Sequence, residues 1–487
     1  MDGRYLSGRW RARAGSITVS SMTRAPAPAL LEDLYQLTMA QAYLAEGLAD
    51  RRSVFELSFR RAPHGGTYAL AAGIGPALDF IEGLRYGPEE IDYLRSLGFL
   101  RDDLLGRLAA FRFPGDVDAV PEGTVVFPGE PVLRVTAPIL EAQLLETPLL
   151  NLIGFPTLVA TKAARVCLAA GAAEVIEFGC RRAQGPDGAL TATRAAFIGG
   201  ASSTSNLEAG RLFGIPVKGT MAHSYVMAHP SEMEAFRAFA RSLPGLAIVL
   251  IDTDDSLSSG LPHAIALARE LRGQGGRLLG VRLDSGDLAA ISRQVRAAFD
   301  AAGFPDVKVY ASGDLDEERI EALVSAGAPI DSYGVGTRLA ASEGDPALTC
   351  IYKLSAVEEA PGRLEPRMKR TDDPGKGTLP GAKSVRRLLD AAGLSTGDVL
   401  GLEDEEGPVP LPAPAVRSAS LLAPAFRAGR RTAPLEDLRA VRDRARSSLE
   451  SIPLPHRRLR DPRPYPVAIS PALEALRERL ASAGPPG

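Results

Sequence analysis

Leu278-Leu-Gly-Val-Arg-Leu-Asp-Ser-Gly-Asp287 is followed, after one helical stretch, by Val307-Lys-Val-Tyr-Ala-Ser-Gly-Asp314. Both stretches have the same form. A short apolar run ends in Ser-Gly-Asp, and a helical pattern takes over, from Leu288 to Phe299 and from Leu315 to Ser325. The rhythm extends in both directions. Downstream, Ile330-Asp-Ser-Tyr-Gly-Val335 runs into Gly336-Thr337. Upstream, Leu246 to Ile251 stops at Asp252 before a helical pattern from Pro262 to Leu271, and Val175-Ile-Glu-Phe178 precedes a loop and a helix from Thr191 to Phe197. Strands alternating with helices predict βα units and parallel strands. Several such units in succession can close into a barrel whose chemistry sits at the C-terminal strand ends. An open doubly wound sheet is the alternative.

The rest of the chain reads differently. Leu30 to Leu48 has helical spacing, Ser53 to Arg60 alternates like a strand, and Ile74 to Gly83 and Pro88 to Leu97 suit helices. Val-rich runs from Phe113 to Val135, broken by Pro-Gly turns, predict short strands. A long helical pattern covers Leu140 to Ala170. Residues 360–414 are rich in Pro, Gly and charge, as surface hairpins are, and helices are expected from Ala433 to Leu449 and Pro471 to Leu480.

Composition narrows the class. With 487 residues, 45% apolar and 24% charged, the chain has the balance of a soluble globular protein of two or three domains. Lys+Arg 56 against Asp+Glu 59 leaves no basic excess for nucleic acid. Cys167, Cys180 and Cys350 have neither disulfide-framework nor zinc spacing, so idle thiols in a reducing compartment are expected. No transmembrane helix is expected, nor a signal peptide, since the Arg-rich start has too short an apolar run. Residues 1–28 are expected to be an arm without a role in the fold, and translation from Met22 is an alternative start.

Chemistry-bearing residues gather at the strand ends. Glycine lets a backbone approach a ligand closely, and N–H groups before a helix hold phosphate. The two Ser-Gly-Asp turns and Gly334-Val-Gly336-Thr337 therefore suit a phosphosugar, whereas ordinary turns with capping Asp residues would look the same. Arg181-Arg182, in a Gly-rich loop after Phe178, suits a diphosphate or carboxylate. His223 follows Gly219-Thr220-Met-Ala, where small neighbours leave room for a ligand. Asp252-Thr-Asp254-Asp255 reads equally as a cation cluster or a capped helix start. Walker A and H-E-x-x-H patterns are absent.

The ordered motifs are Asp33-Leu-Tyr35-Gln-Leu-Thr-Met-Ala, Glu177-Phe-Gly-Cys-Arg-Arg-Ala-Gln-Gly-Pro-Asp-Gly-Ala, Gly219-Thr-Met-Ala-His-Ser, Val281-Arg-Leu-Asp-Ser-Gly-Asp-Leu and Gly334-Val-Gly-Thr-Arg-Leu. Together, over about residues 30 to 355, they resemble the nicotinate phosphoribosyltransferase family. The resemblance implies an N-terminal α+β domain (29–140), an irregular parallel α/β barrel (141–355) and C-terminal hairpins and helices packing back on both (356–487). It implies ATP-coupled transfer of phosphoribosyl from 5-phosphoribosyl 1-diphosphate to nicotinate, for NAD salvage, in a cytoplasmic homodimer with shared sites. Tyr35, from the neighbouring subunit, and Phe178 would sandwich the pyridine. Arg181 would bind the phosphoribosyl donor, Thr220 and Arg282 nicotinate, and Asp284 and Asp314 ribose or its metal. Gly313, Gly336 and Thr337 would hold the 5-phosphate, and His223 would be phosphorylated. Mg2+ is expected with the diphosphate, its protein ligands unassigned. A nicotinamide-using enzyme and a non-catalytic phosphonucleotide binder are the rivals. Amide-using relatives carry an Asp in the segment matching Gly199 to Ser203; here Ser202 is read at that position, which implies preference for the acid.

Overall fold

The computed structural model describes residues 28–369, 377–405 and 412–482, so the expected N-terminal arm lies outside them except for Pro28. Six short strands make the sheet that the alternating pattern predicts: β1 Glu174–Glu177, β2 Ser203–Thr204, β3 Ile248–Leu250, β4 Gly280–Leu283, β5 Lys308–Ala311 and β6 Ser332–Val335. Their order is β2-β1-β6-β5-β4-β3, and every pairing is parallel. Val249, Val281, Leu283, Val309, Ala311 and Val335 are buried, as expected of parallel strands covered on both faces.

The order is that of a barrel, with sequence neighbours adjacent and the first strand beside the last, but the ladder does not close. The expected barrel is corrected to an open sheet with one seam. A single parallel bridge, Thr204 to Val217, widens the β2 edge. Pro216 has no N–H to offer a ladder, and after Val217 the chain runs without strand structure to the helix His223–Met227. No strand pairing joins that segment to β3 among the described residues.

Helices pack on this sheet through one large apolar cluster that includes Phe236, Phe299, Ile320 and Tyr333. The helix Glu146–Ala170 packs against the helices Gly185–Ile198 and Glu317–Ser325. The run Ile139–Ala170 does reach the length and apolarity of a membrane-crossing helix, contrary to the sequence expectation. In its most apolar window 78% is buried inside the protein, so it serves as a core helix. Its buried Lys162 and Arg165 share the buried Glu317.

A second apolar cluster lies under a seven-stranded sheet in which Arg52–Phe59 runs between Cys350–Ala360 and Leu133–Pro138. The C-terminal strand Ala423–Arg427 pairs with Asp116–Ala119 in that same sheet. The Pro/Gly-rich region supplies a hairpin of Lys383–Leu389 and Ser395–Leu402. The first predicted helix is shorter than its apolar pattern, Leu34–Ala45, because Asp33 and Gln36 form a capping box at its start.

Candidate active site

The predicted residues converge at the C-terminal ends of the parallel strands, and Arg282 of β4 is the centre of the convergence. Its guanidinium donates through Nε to Ser312 Oγ at 2.8 Å, through Nη1 to Thr220 Oγ1 at 3.0 Å and Met221 O at 3.3 Å, and through Nη2 to Asp284 Oδ1 at 2.7 Å. One side chain therefore ties the ends of β4 and β5 to the segment across the seam. Ser312 also donates to Asp284 Oδ1. Burial opposes ionisation of Asp284, but the Ser312 hydroxyl and the Arg282 guanidinium outweigh it and hold the carboxyl below the ordinary range.

Phe178 forms the wall beside this cation. The Arg282 guanidinium carbon lies 5.9 Å from the ring centroid. The Phe178 N–H donates to Val335 O at 2.8 Å, which fixes the loop against β6. The ring lies so close to Gly334 that a Cβ there would sit 2.5 Å from ring carbons, so only glycine fits. A half-buried aromatic face beside a guanidinium is a surface for a flat, negatively charged heteroaromatic.

His223 stands on the other lip of the seam, 40% exposed, with Nε2 3.3 Å from Asp252 Oδ1. Asp252, at the end of β3, is 2% exposed and is held in turn by the Asp284 N–H at 3.0 Å and the Ser285 hydroxyl at 2.6 Å. Sequence reasoning gave Asp252 no such role. The two residues are far apart in the chain, and the acidic run looked like a cation cluster or a cap. The cap is real, but Asp255 makes it, accepting from the amides of Leu257 and Ser258.

The Ser-Gly-Asp turns line one cavity of about 490 Å³, bounded by Asp284 to Ala289, by Gly313 to Leu315, and by Arg319, Ala322 and Leu323 of the next helix. Gly313 has φ +97°, and a Cβ there would lie 2.0 Å from Asp284 O. Asp314 follows in the left-handed region at φ +49°, exposed, its carbonyl accepting from Arg319 Nη1 at 2.8 Å. Gly336 precedes the short helix Thr337–Ala340 at the end of β6, and Thr337 is exposed. Arg181 is exposed on a turn of 3₁₀ helix, Cys180–Arg182, directly after Phe178 and Gly179.

Two expectations stand apart from this constellation. Tyr35 lies on the exposed face of its helix, 44% exposed, with Glu146, Thr147 and Asp33 as its electrostatic neighbours. No contact joins it to Phe178 within the chain among the described residues. Ser202 is the second. Its N–H and hydroxyl both donate to Val175 O, at 2.8 and 3.2 Å, back along β1 and away from the site. Ser205, two residues beyond that segment, follows the C-terminal end of β2, and its N–H donates to Glu177 O at 3.0 Å. Neither position is acidic. Among the described residues no group of three or more His, Cys, Asp or Glu side chains could hold a metal ion.

Three family descriptions match the chain in order. They are the nicotinate phosphoribosyltransferase N-terminal domain over residues 30–154, the nicotinate phosphoribosyltransferase family over 173–392 and the corresponding C-terminal domain over 413–477. Nicotinate phosphoribosyltransferase pncB2 of Mycobacterium tuberculosis is 44% identical over 93% of this chain and 94% of its own length. The nicotinate phosphoribosyltransferase of Homo sapiens is 37% identical over 95% of this chain and 98% of its own. The crystal structure of human nicotinic acid phosphoribosyltransferase superposes with a TM-score of 0.80 and 35% identity, covering 93% of this chain and all of that one. On these grounds, and with four of the five motifs folded into one constellation, the chain belongs to the nicotinate phosphoribosyltransferase family.

Proposed function

We propose that this protein transfers the 5-phosphoribosyl group of 5-phosphoribosyl 1-diphosphate to nicotinate, giving nicotinate mononucleotide for NAD salvage. The observation that carries the reading is the Arg282 cluster beside Phe178, a cation and an aromatic wall at the mouth of Gly-rich strand ends. In this reading Phe178 stacks on the pyridine, while Arg282 and Thr220 take its carboxylate. The ring nitrogen lone pair attacks the anomeric carbon as the bond to the diphosphate oxygen breaks, and diphosphate leaves with that electron pair. Asp284 and Asp314 accept from the ribose hydroxyls, the backbone at Gly313, Gly336 and Thr337 cradles the 5-phosphate, and Arg181 meets the diphosphate.

ATP coupling through His223 is part of the proposal. Asp252 accepts from Nε2–H, which leaves the Nδ1 lone pair for the γ-phosphorus of ATP. ADP departs, and water later hydrolyses the phosphohistidine. Magnesium fits this site as a guest of the substrate, since Mg2+ is commonly held by one or two carboxylates plus phosphates, and Asp314 is an exposed carboxylate at the phosphate loops. When bound it would neutralise charge on the leaving diphosphate.

A second copy of the chain is proposed to supply Tyr35. Leu34, Tyr35 and Met39 leave one helix face apolar and exposed, and Leu207, Val217 and Met227 do the same on elements flanking the seam, so each chain carries two surfaces that want cover. The unbridged thiols fit a reducing, cytoplasmic setting. The test is diphosphate release from nicotinate and the phosphoribosyl donor, with and without ATP. Absence of nicotinate-dependent release would refute the reading, and equal kcat/KM for nicotinamide would refute the acid preference.

A further inference from the structure

We propose that Glu177 is a positioning residue for the ring pocket, its carboxylate setting the place of Phe178 and Ser205. This rests on the reading that Phe178 meets nicotinate.

Glu177 ends β1 and is 1% exposed. Its Oε1 accepts from the N–H of Gly179, the residue after Phe178. Its Oε2 accepts from Thr204 Oγ1 at 2.6 Å and Thr193 Oγ1 at 3.0 Å. Its backbone carbonyl accepts from Ser205 N–H. All its side-chain partners are neutral: an amide and two hydroxyls. Several buried carboxylates in this chain meet guanidinium or ammonium groups, as Glu122 meets Arg194 and Glu317 meets Lys162 and Arg165. An ion pair is the common way to stabilise a buried carboxylate, so full satisfaction by neutral donors points to placement.

The partners explain what is placed. Gly179 carries the loop from Phe178 to Arg181. Thr204 leads into Ser205, and its backbone pairs on the far side with Pro216 O and Lys218 N, the chain that runs on to Thr220 and His223. Asn206 extends the network, donating its N–H to Thr204 Oγ1 and its side-chain amide to Thr193 Oγ1. Glu177 thus sets the ring side of the pocket, whereas the phosphate loops at Gly313 and Asp314 are held by Arg319 and β5 and share no bond with it. A defect at Glu177 should weaken nicotinate more than the phosphoribosyl donor.

The experiment uses the full chain with nicotinate and 5-phosphoribosyl 1-diphosphate. Glu177→Ala is expected to raise the nicotinate KM by roughly 10- to 150-fold, the loss of one or more charge-assisted hydrogen bonds, with a much smaller rise in the donor KM through the Arg181 end of the loop. Deuterium exchange of the ligand-free protein should quicken at the Phe178 to Ala183 amides. Glu177→Gln keeps an acceptor for Gly179 N–H and should recover most of the nicotinate KM; if the Ala variant does not fold, Glu177→Asp, whose carboxylate sits one methylene short of Gly179 N–H and the two threonines, takes its place with the same direction of change. An unchanged nicotinate KM, a parallel rise in both KM values, or wild-type exchange in this loop overturns the assignment. If wild-type protein turns over no nicotinate, the functional reading fails, and the exchange comparison alone still decides whether Glu177 holds the loop.

Discussion

Replacing His64 by Asn should remove a pH dependence of stability that is written into the core. The His64 ring lies at the end of a buried charge network, with Nε2 3.3 Å from Leu158 O and 3.3 Å from Ser342 Oγ, and with Nδ1 buried and unpartnered. Burial, and then the positive charge of Lys162, push its pKa down to about 4 from 6.5; the Leu158 carbonyl and Glu317 oppose this, and Arg165 adds to it. Asp345, near the same loop, accepts from the His64 backbone N–H at 2.6 Å and pairs with Arg61. The folded state therefore keeps His64 neutral while the unfolded chain protonates it below about pH 6.5. Between those values the unfolded state binds more protons, so the stability from a neutral His64 is present above pH 6.5 and is lost as pH falls toward 4. A gap of 6.5 to about 4, at 1.36 kcal/mol per unit, makes the loss roughly 3 kcal/mol. Asn suits the test because His64 has φ +57°, a conformation Asn tolerates, and because the Asp345 bond uses only the backbone. Urea unfolding of wild type and His64→Asn at steps from pH 7 to 4.5 should show the wild type losing its margin over the variant as acid is added. Parallel curves across that range would sink the argument.

Further outcomes are expected at the site. His223→Ala should lose ATP hydrolysis and ATP stimulation but keep slow ATP-independent synthesis, and label from γ-³²P ATP should reach wild type alone; a variant with full ATP stimulation would dismiss the phosphohistidine. Co-expressed Tyr35→Ala and His223→Ala chains should recover activity through one intact site per hybrid dimer, and proven hybrids without recovery would count against shared sites. Ser205→Asp should lower kcat/KM for nicotinate roughly 10- to 150-fold while sparing nicotinamide, because a carboxylate at the end of β2 repels the acid and accepts from the amide. Gly313→Ala should destabilise the protein by about 1–3 kcal/mol from its backbone conformation alone, with a further cost from the contact with Asp284 O, visible as a lower Tm and a raised donor KM.

The parts of the fold that were legible in the sequence are those where local chemistry decides. β4 and β5 were visible because each apolar run stops at Ser-Gly-Asp, and the helix Ile74–Gly83 because its periodicity ends at glycines and prolines. β2 was not visible, since a two-residue strand has no period to read; it exists because Glu177 and the Val217 bridge hold it. The helix Asp102–Ala109 was missed between short neighbours. The open seam could not be foreseen either, because whether β2 pairs with β3 is a tertiary matter and a barrel and this sheet share one sequence rhythm. Among site residues, motif positions were found where they stand. Asp252 and Glu177 escaped a role because a lone carboxylate at a strand end looks like any cap until its partner arrives from elsewhere in the chain.

The seam has a mechanical meaning. A closed ladder resists opening with backbone bonds that must all break together, but among the described residues this one is crossed by side chains, Arg282 to Thr220 and Met221, and His223 to Asp252. Such a slit can change width by exchanging partners. A phosphoryl group on His223 would set a dianion against the buried Asp252 carboxylate, lever the two lips apart, and offer Arg282 and Arg181 a new anion to hold. Its hydrolysis would let the lips fall back. The gap in the sheet would then work as a hinge that reads the state of one histidine.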